Sequence, residues 1–190
     1  KDTMKNLIDT LNEVTDFTLA SPINDNPNIP NYKKIDLKQN ISENILSVES
    51  IDGFSMLFNL EKFQDKNFFD ENFFLYLEND DLCLRVKQKN EFIYIIKNSL
   101  INHRGGIGSD KSLEYLRNWH WMWSKFYFNK KHYGFFSAIL KTFHNLISAC
   151  FKFFIYSMIF NSHKKKIYKM RLCGIYSSIL GKKSTYRIDN

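Results

Sequence analysis

The chain has 190 residues, 44% of them hydrophobic and 16% aromatic, with three Cys and a net charge of +7. This composition excludes general disorder and supplies enough apolar surface for a sizeable core. Cys83, Cys150 and Cys173 show no CxxC or zinc-ligand spacing, so a reduced, cytosolic setting is expected.

In chain order, KDTMKNLIDTLNEV comes first and predicts an amphipathic helix with Met4, Leu7, Ile8, Leu11 and Val14 on its apolar side. Residues 22–40 contain Pro22, Pro27, Pro30 and many Asn, and read as a surface loop. FDENFFLYLENDDLCLR (Phe69–Arg85) then places Asp70, Glu71, Glu78, Asp80 and Asp81 among Phe68, Phe69, Phe73, Phe74, Leu75, Tyr76 and Leu77. Like charges this close oppose compaction unless a cation or a proton relieves them, and the aromatics anchor their backbone against a core. Carboxylates held at such a rim suit general-base work or the neighbourhood of a metal. The plainer alternative is a solvated, capped helix start.

Asn79 fits an N-cap, Asp80 and Asp81 suit the positive end of a helix dipole, and Asp81 and Arg85 form an i,i+4 pair. These features predict a short helix over about Asp80–Gln88. Phe92–Ile96 predicts a buried strand, and Asn98–Ile101 leads on to His103. Gly105, Gly106 and Gly108 follow as a flexible loop, in which His103 could equally be a polar turn residue. No complete P-loop or dinucleotide fingerprint is present.

FDENFFLYLENDDLCLR, the strand after it and the His of INHRGG together resemble the second half of the catalytic domain of family-two glycosyltransferases. The likeness is to bacterial rhamnosyltransferase-like enzymes of the GT-A fold. IDGFSMLFNLEKF (Ile51–Phe63) resembles the segment before that family's acidic motif, and DFTLASPI (Asp16–Ile23) an earlier core strand. The resemblance implies an α/β fold, a partial GT-A domain over residues 1–110 followed by a mostly helical extension over 111–190. It also implies inverting transfer from a nucleotide-sugar donor to a glycan or lipid-linked acceptor. A carboxylate would take the acceptor proton, and a divalent metal, Mg²⁺ or Mn²⁺, would stabilise the departing diphosphate. The family's base commonly lies in a Glu-Asp pair, which here falls on Glu78 and Asn79; an amide cannot accept that proton. Glu78 is therefore the expected base, with Asp81 and then Asp80 behind it, and His103 is expected as a metal ligand or a diphosphate contact. Gly53, Asp70, Glu71, Arg85 and Arg104 are expected at the substrate, Asp70 and Glu71 also closing a turn beside the site. The family's nucleotide-binding half with its Asp-x-Asp precedes the matched region, so the chain is expected to be a fragment that begins shortly after that motif.

Residues 1–110 carry a net −6 and residues 111–190 a net +13. Anionic lipid or nucleic acid could face the basic half. Wound as a helix, Phe135–Phe160 gathers Ser137, Lys141, His144, Asn145, Ser148 and Lys152 into one stripe and leaves the rest almost wholly apolar. That pattern predicts a helix lying in a membrane interface, and the two lysines argue against a full span. Lys164, Lys165 and Lys166 follow, with His163, Lys169 and Arg171, as contacts for an anionic surface. Upstream, Trp119, Trp121, Trp123, Tyr127 and Tyr133 lie among lysines, as in segments at headgroup depth. A core or dimer-packing helix is the alternative. Nucleic acid is not an expected partner: no recognised motif appears and the acidic half would repel phosphate. The expected location is the cytoplasmic face of the cell membrane. The competing functional reading is a non-catalytic membrane-binding or scaffold module derived from such an enzyme.

Overall fold

The computed structural model describes residues 2–14, 16–34, 40–64, 68–103 and 113–187. Arg104, Gly105, Gly106 and Gly108 lie outside them. The chain forms two compact units, one of Lys1–Asp70 with Glu78–Ile107 and one of Glu71–Leu77 with Gly108–Asn190.

The first unit is mixed α/β. Its elements are α1 (Thr3–Leu11), β1 (Leu19–Asn24), β2 (Tyr32–Lys34), β3 (Ile45–Ile51), β4 (Leu57–Phe58), α2 (Glu78–Gln88) and β5 (Ile93–Ile101). The sheet order is β2-β3-β5-β1-β4. β1 and β5 run parallel, and the other pairings are antiparallel.

Alternation along the strands feeds two cores, because successive side chains point to opposite faces of a sheet. Leu19, Leu46, Val48, Ile93 and Ile95 pack with Leu82, Cys83 and Val86 of α2. Ala20, Ile45, Tyr94 and Ile96 pack with Leu7 and Leu11 of α1. A strand covered on both faces must be apolar at every position, which is why β5 begins as an unbroken hydrophobic run.

Two boundaries differ from the sequence reading. The loop expected over residues 22–40 contains the end of β1 and all of β2. In place of a solvated loop, the Asn31 amide donates to the Pro22 carbonyl at 2.9 Å, and its Oδ1 accepts the Asn24 N–H at 2.9 Å. Pro22, which has no N–H to give, sits where the β1/β5 register shifts. α2 also starts at Glu78, so Asn79 lies inside the first turn and does not cap it.

The second unit is built from α3 (Leu113–Tyr133), α4 (Phe135–Met158) and α5 (Ser162–Ile179), with residues 71–77 and 180–187 packed on them. Met122, Phe126, Ala138 and Ile175 form one cluster; Phe73, Trp119 and Trp123 form another, with Tyr127, Met170 and Tyr186 against it. Trp119 and Trp123 are thus buried, which corrects the expectation that they lie at headgroup depth. Gly174 is where α3 and α5 approach closely: a Cβ there would stand 2.2 Å from the Trp119 carbonyl oxygen.

His120 is fully buried in this unit. Its Nε2 faces the Tyr186 carbonyl at 2.8 Å and so carries the proton, leaving Nδ1 to accept from the Ser184 hydroxyl at 2.8 Å. Burial, and then the nearby Arg187 charge, lower its pKa, against the opposing effect of the Tyr186 bond. The unfolded chain therefore binds a proton that the fold refuses. This contribution to stability is complete above about pH 6.5 and is lost as pH falls toward the depressed folded value. Helix-weighted circular dichroism should show the denaturation midpoint falling between pH 7 and pH 5. His120→Gln, which keeps a donor and an acceptor without a titrating ring, should flatten that slope.

Candidate functional site

The site residues of the first unit gather where the end of β3 meets the start of α2. The Asn79 amide donates to the Ile51 carbonyl at 3.0 Å, tying the first turn of α2 to β3. This explains the amide at position 79: an aspartate would set a carboxylate oxygen against that carbonyl. Gly53 packs beside it, and a Cβ there would meet the Asn79 Cβ at 3.4 Å and Glu78 Oε1 at 3.9 Å. Both are ordinary van der Waals distances, so Gly53 is a neighbour of Glu78 and not a substrate contact shown by the structure. Glu78 itself is half-buried, and its Oε2 is shielded from water with no hydrogen-bond partner among the described residues. An acceptor left this way costs about 1–3 kcal/mol unless a donor arrives.

Around this carboxylate lie charges that the sequence reading only partly identified. Asp80 pairs with Lys33 of β2. Asp52 keeps much of its surface open, yet partial burial of its carboxyl, followed by the Asp80 charge, raises its pKa; Lys33 and His103 pull it back. His103 stacks face to face on Phe54, with ring centroids 3.9 Å apart, and its backbone N–H donates to Asn24 Oδ1 at 3.2 Å. Asp52, Phe54, Lys33 and Asn24 were not anticipated. The Asp-Gly of IDGF was the available signal, but it reads equally well as an ordinary turn.

Two expected residues take other roles. Asp81 is fully buried and its Oδ2 accepts from Arg85 Nε at 2.9 Å. The Arg85 guanidinium also donates to the Phe68 carbonyl. Asp81 is turned into the interior, so this pair fastens α2 and neither member is presented as a base or a substrate contact. Asp70 is half-buried in the first unit, while Glu71 is exposed and belongs to the second.

No known family model, characterised protein or solved structure matches the chain.

The described residues do not by themselves make up a metal centre. Among the described residues no three His, Cys, Asp or Glu side chains come together to hold an ion. His103 would be a single ligand, and its ring is stacked on Phe54. Cys83 is also out of play: burial pushes its thiol up to about 12, only partly offset by its contact with the Ile51 carbonyl.

Proposed function

We propose that the first unit is the acceptor-side part of an inverting glycosyltransferase of the GT-A type, acting on a nucleotide-sugar donor and a glycan or lipid-linked acceptor. The observation that carries the reading is Glu78 Oε2, an acceptor shielded from water and without a hydrogen-bond partner among the described residues. An acceptor hydroxyl is the donor this oxygen lacks. In the reaction Glu78 takes the hydroxyl proton, the oxygen bonds to the anomeric carbon, and the bond from that carbon to the donor's diphosphate breaks with inversion. The raised pKa of Asp52 and the Asp80–Lys33 pair describe a partly desolvated rim of the kind such proton transfer uses. A divalent ion at the diphosphate needs ligands beyond those described, and no step here runs through one. The intact protein, supplied with nucleotide-sugars and Mg²⁺ or Mn²⁺, should release nucleoside diphosphate. No release from any donor would leave the scaffold reading, which Asn79 favours.

The second unit supports the membrane part of the proposal. α4 is the one helix among the described residues long and apolar enough to cross a bilayer. It commits Ala138, Thr142 and Ala149 to the interior, while Phe136, Leu140, Phe143, Ile147, Phe151, Phe154 and Met158 form an exposed row at three- and four-residue spacing. A helix with one face packed on neighbours and another bare suits an in-plane position better than a span. Lys141 lies over the Tyr133 ring at 3.4 Å and Lys152 over Tyr168 at 5.5 Å; Lys164, Lys165 and Lys166 likewise lie over rings. All five lysines are exposed and are available to an anionic surface at the cytoplasmic face. In flotation with phosphatidylglycerol vesicles, Phe136→Ser with Phe151→Ser should weaken binding at least tenfold, since each buried ring contributes about 2 kcal/mol. Neutralising Lys164, Lys165 and Lys166 should weaken it further, by about 1 kcal/mol per charge. Unchanged flotation in both variants would argue for a helix packed against protein.

A further inference from the structure

The second unit has a cleft of about 350 Å³ lined by Tyr76, Glu114, Arg117, Asn118, Trp121 and Arg171, which the glycosyl-transfer reading does not use. Its residues are arranged more tightly than surface residues usually are. Arg171 Nε donates to Asn118 Oδ1 at 2.7 Å, the Asn118 amide donates to the Glu114 carbonyl at 2.8 Å, and the guanidinium lies 5.3 Å from the Tyr168 ring. The fork of Arg171 is therefore fixed in direction through Nε and Tyr168, and neither terminal nitrogen has a hydrogen-bond partner among the described residues. Glu114, the one acid in the lining, has its carboxylate engaged by His163 Nε2 at 3.2 Å.

The aromatic side is also prearranged. Trp121 is the exposed member of the three tryptophans, at 39% against 6% for Trp119 and 2% for Trp123. Tyr76 meets it edge-on, with centroids 5.4 Å apart. Tyr76 holds φ +69 and Leu77 φ +67, a left-handed conformation that costs a bulky residue about 1–3 kcal/mol and persists only where the surroundings impose it. Here it presents the Tyr76 ring to the cleft.

We propose that this cleft binds a phosphorylated sugar, with the phosphate on the Arg171 guanidinium and the sugar ring against Trp121. A planar, pre-oriented guanidinium matches phosphate oxygens two at a time, as a lysine cannot. An indole beside an edge-on phenol offers a flat apolar wall to the C–H face of a pyranose. The assignment does not depend on the sugar-transfer reading of the first unit.

Titration calorimetry on the full chain tests it with glucose 1-phosphate, inorganic phosphate, glucose, and vesicles of phosphatidylglycerol. Glucose 1-phosphate should bind, inorganic phosphate should bind about tenfold more weakly, and glucose alone should not bind. Arg171→Lys, which keeps the charge and loses the fork, should weaken glucose 1-phosphate at least tenfold. Trp121→Ala should reduce the sugar phosphate to the affinity of inorganic phosphate. Thermal unfolding identifies any variant that has lost its fold, and whichever of Arg171→Lys and Trp121→Ala stays folded then carries the test. Equal affinity in a folded Arg171→Lys, or in Trp121→Ala, would overturn the proposal. So would vesicle binding that Arg171→Lys weakens while glucose 1-phosphate shows none, because the site would then read lipid headgroups.

Discussion

Glu78→Gln should reduce sugar transfer by the intact protein about 10²- to 10⁴-fold, the usual contribution of a positioned general base, while leaving the fold in place. The substitution keeps the side chain's size and removes only its ability to take a proton. Gly53 still lies beside it, and the Asn79–Ile51 bond that orients the first turn of α2 is untouched. The measurement is nucleoside diphosphate release, with the denaturant midpoint of the first unit followed in parallel. Retained turnover at an unchanged midpoint would exclude Glu78 as the base. Asn79→Asp is the paired variant. It loses the donor to Ile51 and opposes two oxygens, so it should cost about 1–3 kcal/mol and should not rescue Glu78→Gln. Rescue would hand the role to position 79.

Gly174→Ala should lower the stability of the helical unit by about 3 kcal/mol, at the upper end of overpacking costs, or about 6–12 °C in Tm for a chain of this size. The added carbon would lie 2.2 Å from the Trp119 carbonyl oxygen, 3.0 Å from its carbon and 3.2 Å from Cα. All three are backbone atoms of α3, so no side chain can swing away and the helices themselves must separate. Separation would also disturb Trp119 against Tyr186, whose rings stack at 5.7 Å. Gly181→Ala is the control. It sits at φ +71 with nothing within 4 Å of the new Cβ, so it should cost only about 1 kcal/mol, for the left-handed backbone alone. Equal losses in the two variants would show that the close crossing of α3 and α5 is not what makes Gly174 necessary.

Much of the fold could be read from local pattern, because local pattern reflects burial on a known period. The run Phe92–Ile96 indicated a strand covered on both faces, and Ile93 with Ile95 and Tyr94 with Ile96 do pack into opposite cores. The long helix from Phe135 was equally plain. The misses all depend on bonds between distant residues. Asn79 resembles a cap until its amide is found on Ile51, 28 positions away. Residues 22–40 look like a loop because proline and asparagine usually serve solvent, whereas Asn31 spends its side chain inside the unit. Trp119 and Trp123 looked interfacial because nothing nearby in sequence covers them; Phe73, about fifty residues earlier, does. At the candidate site, Glu78 and His103 were among the residues singled out from the sequence. Asp52 was not, since its raised proton affinity arises first from burial and then from the Asp80 charge, with Lys33 and His103 pulling it back, none of which its own neighbours in sequence reveal.

The assignment of Glu71–Leu77 to the helical unit has a consequence for anyone wishing to divide this protein. The polypeptide passes between its two units after residues 70, 77 and 107, so no single cut releases either one whole. A truncation after Ile107 would leave Phe73 without Trp123 and Tyr127, its ring partners at 6.4 and 5.0 Å. It would also leave the Leu75 carbonyl without the Ser124 hydroxyl that donates to it at 2.8 Å. The complementary piece would begin with two tryptophans uncovered. Each half made this way would be short of seven residues or burdened with them, and the two should dissolve well only when expressed together.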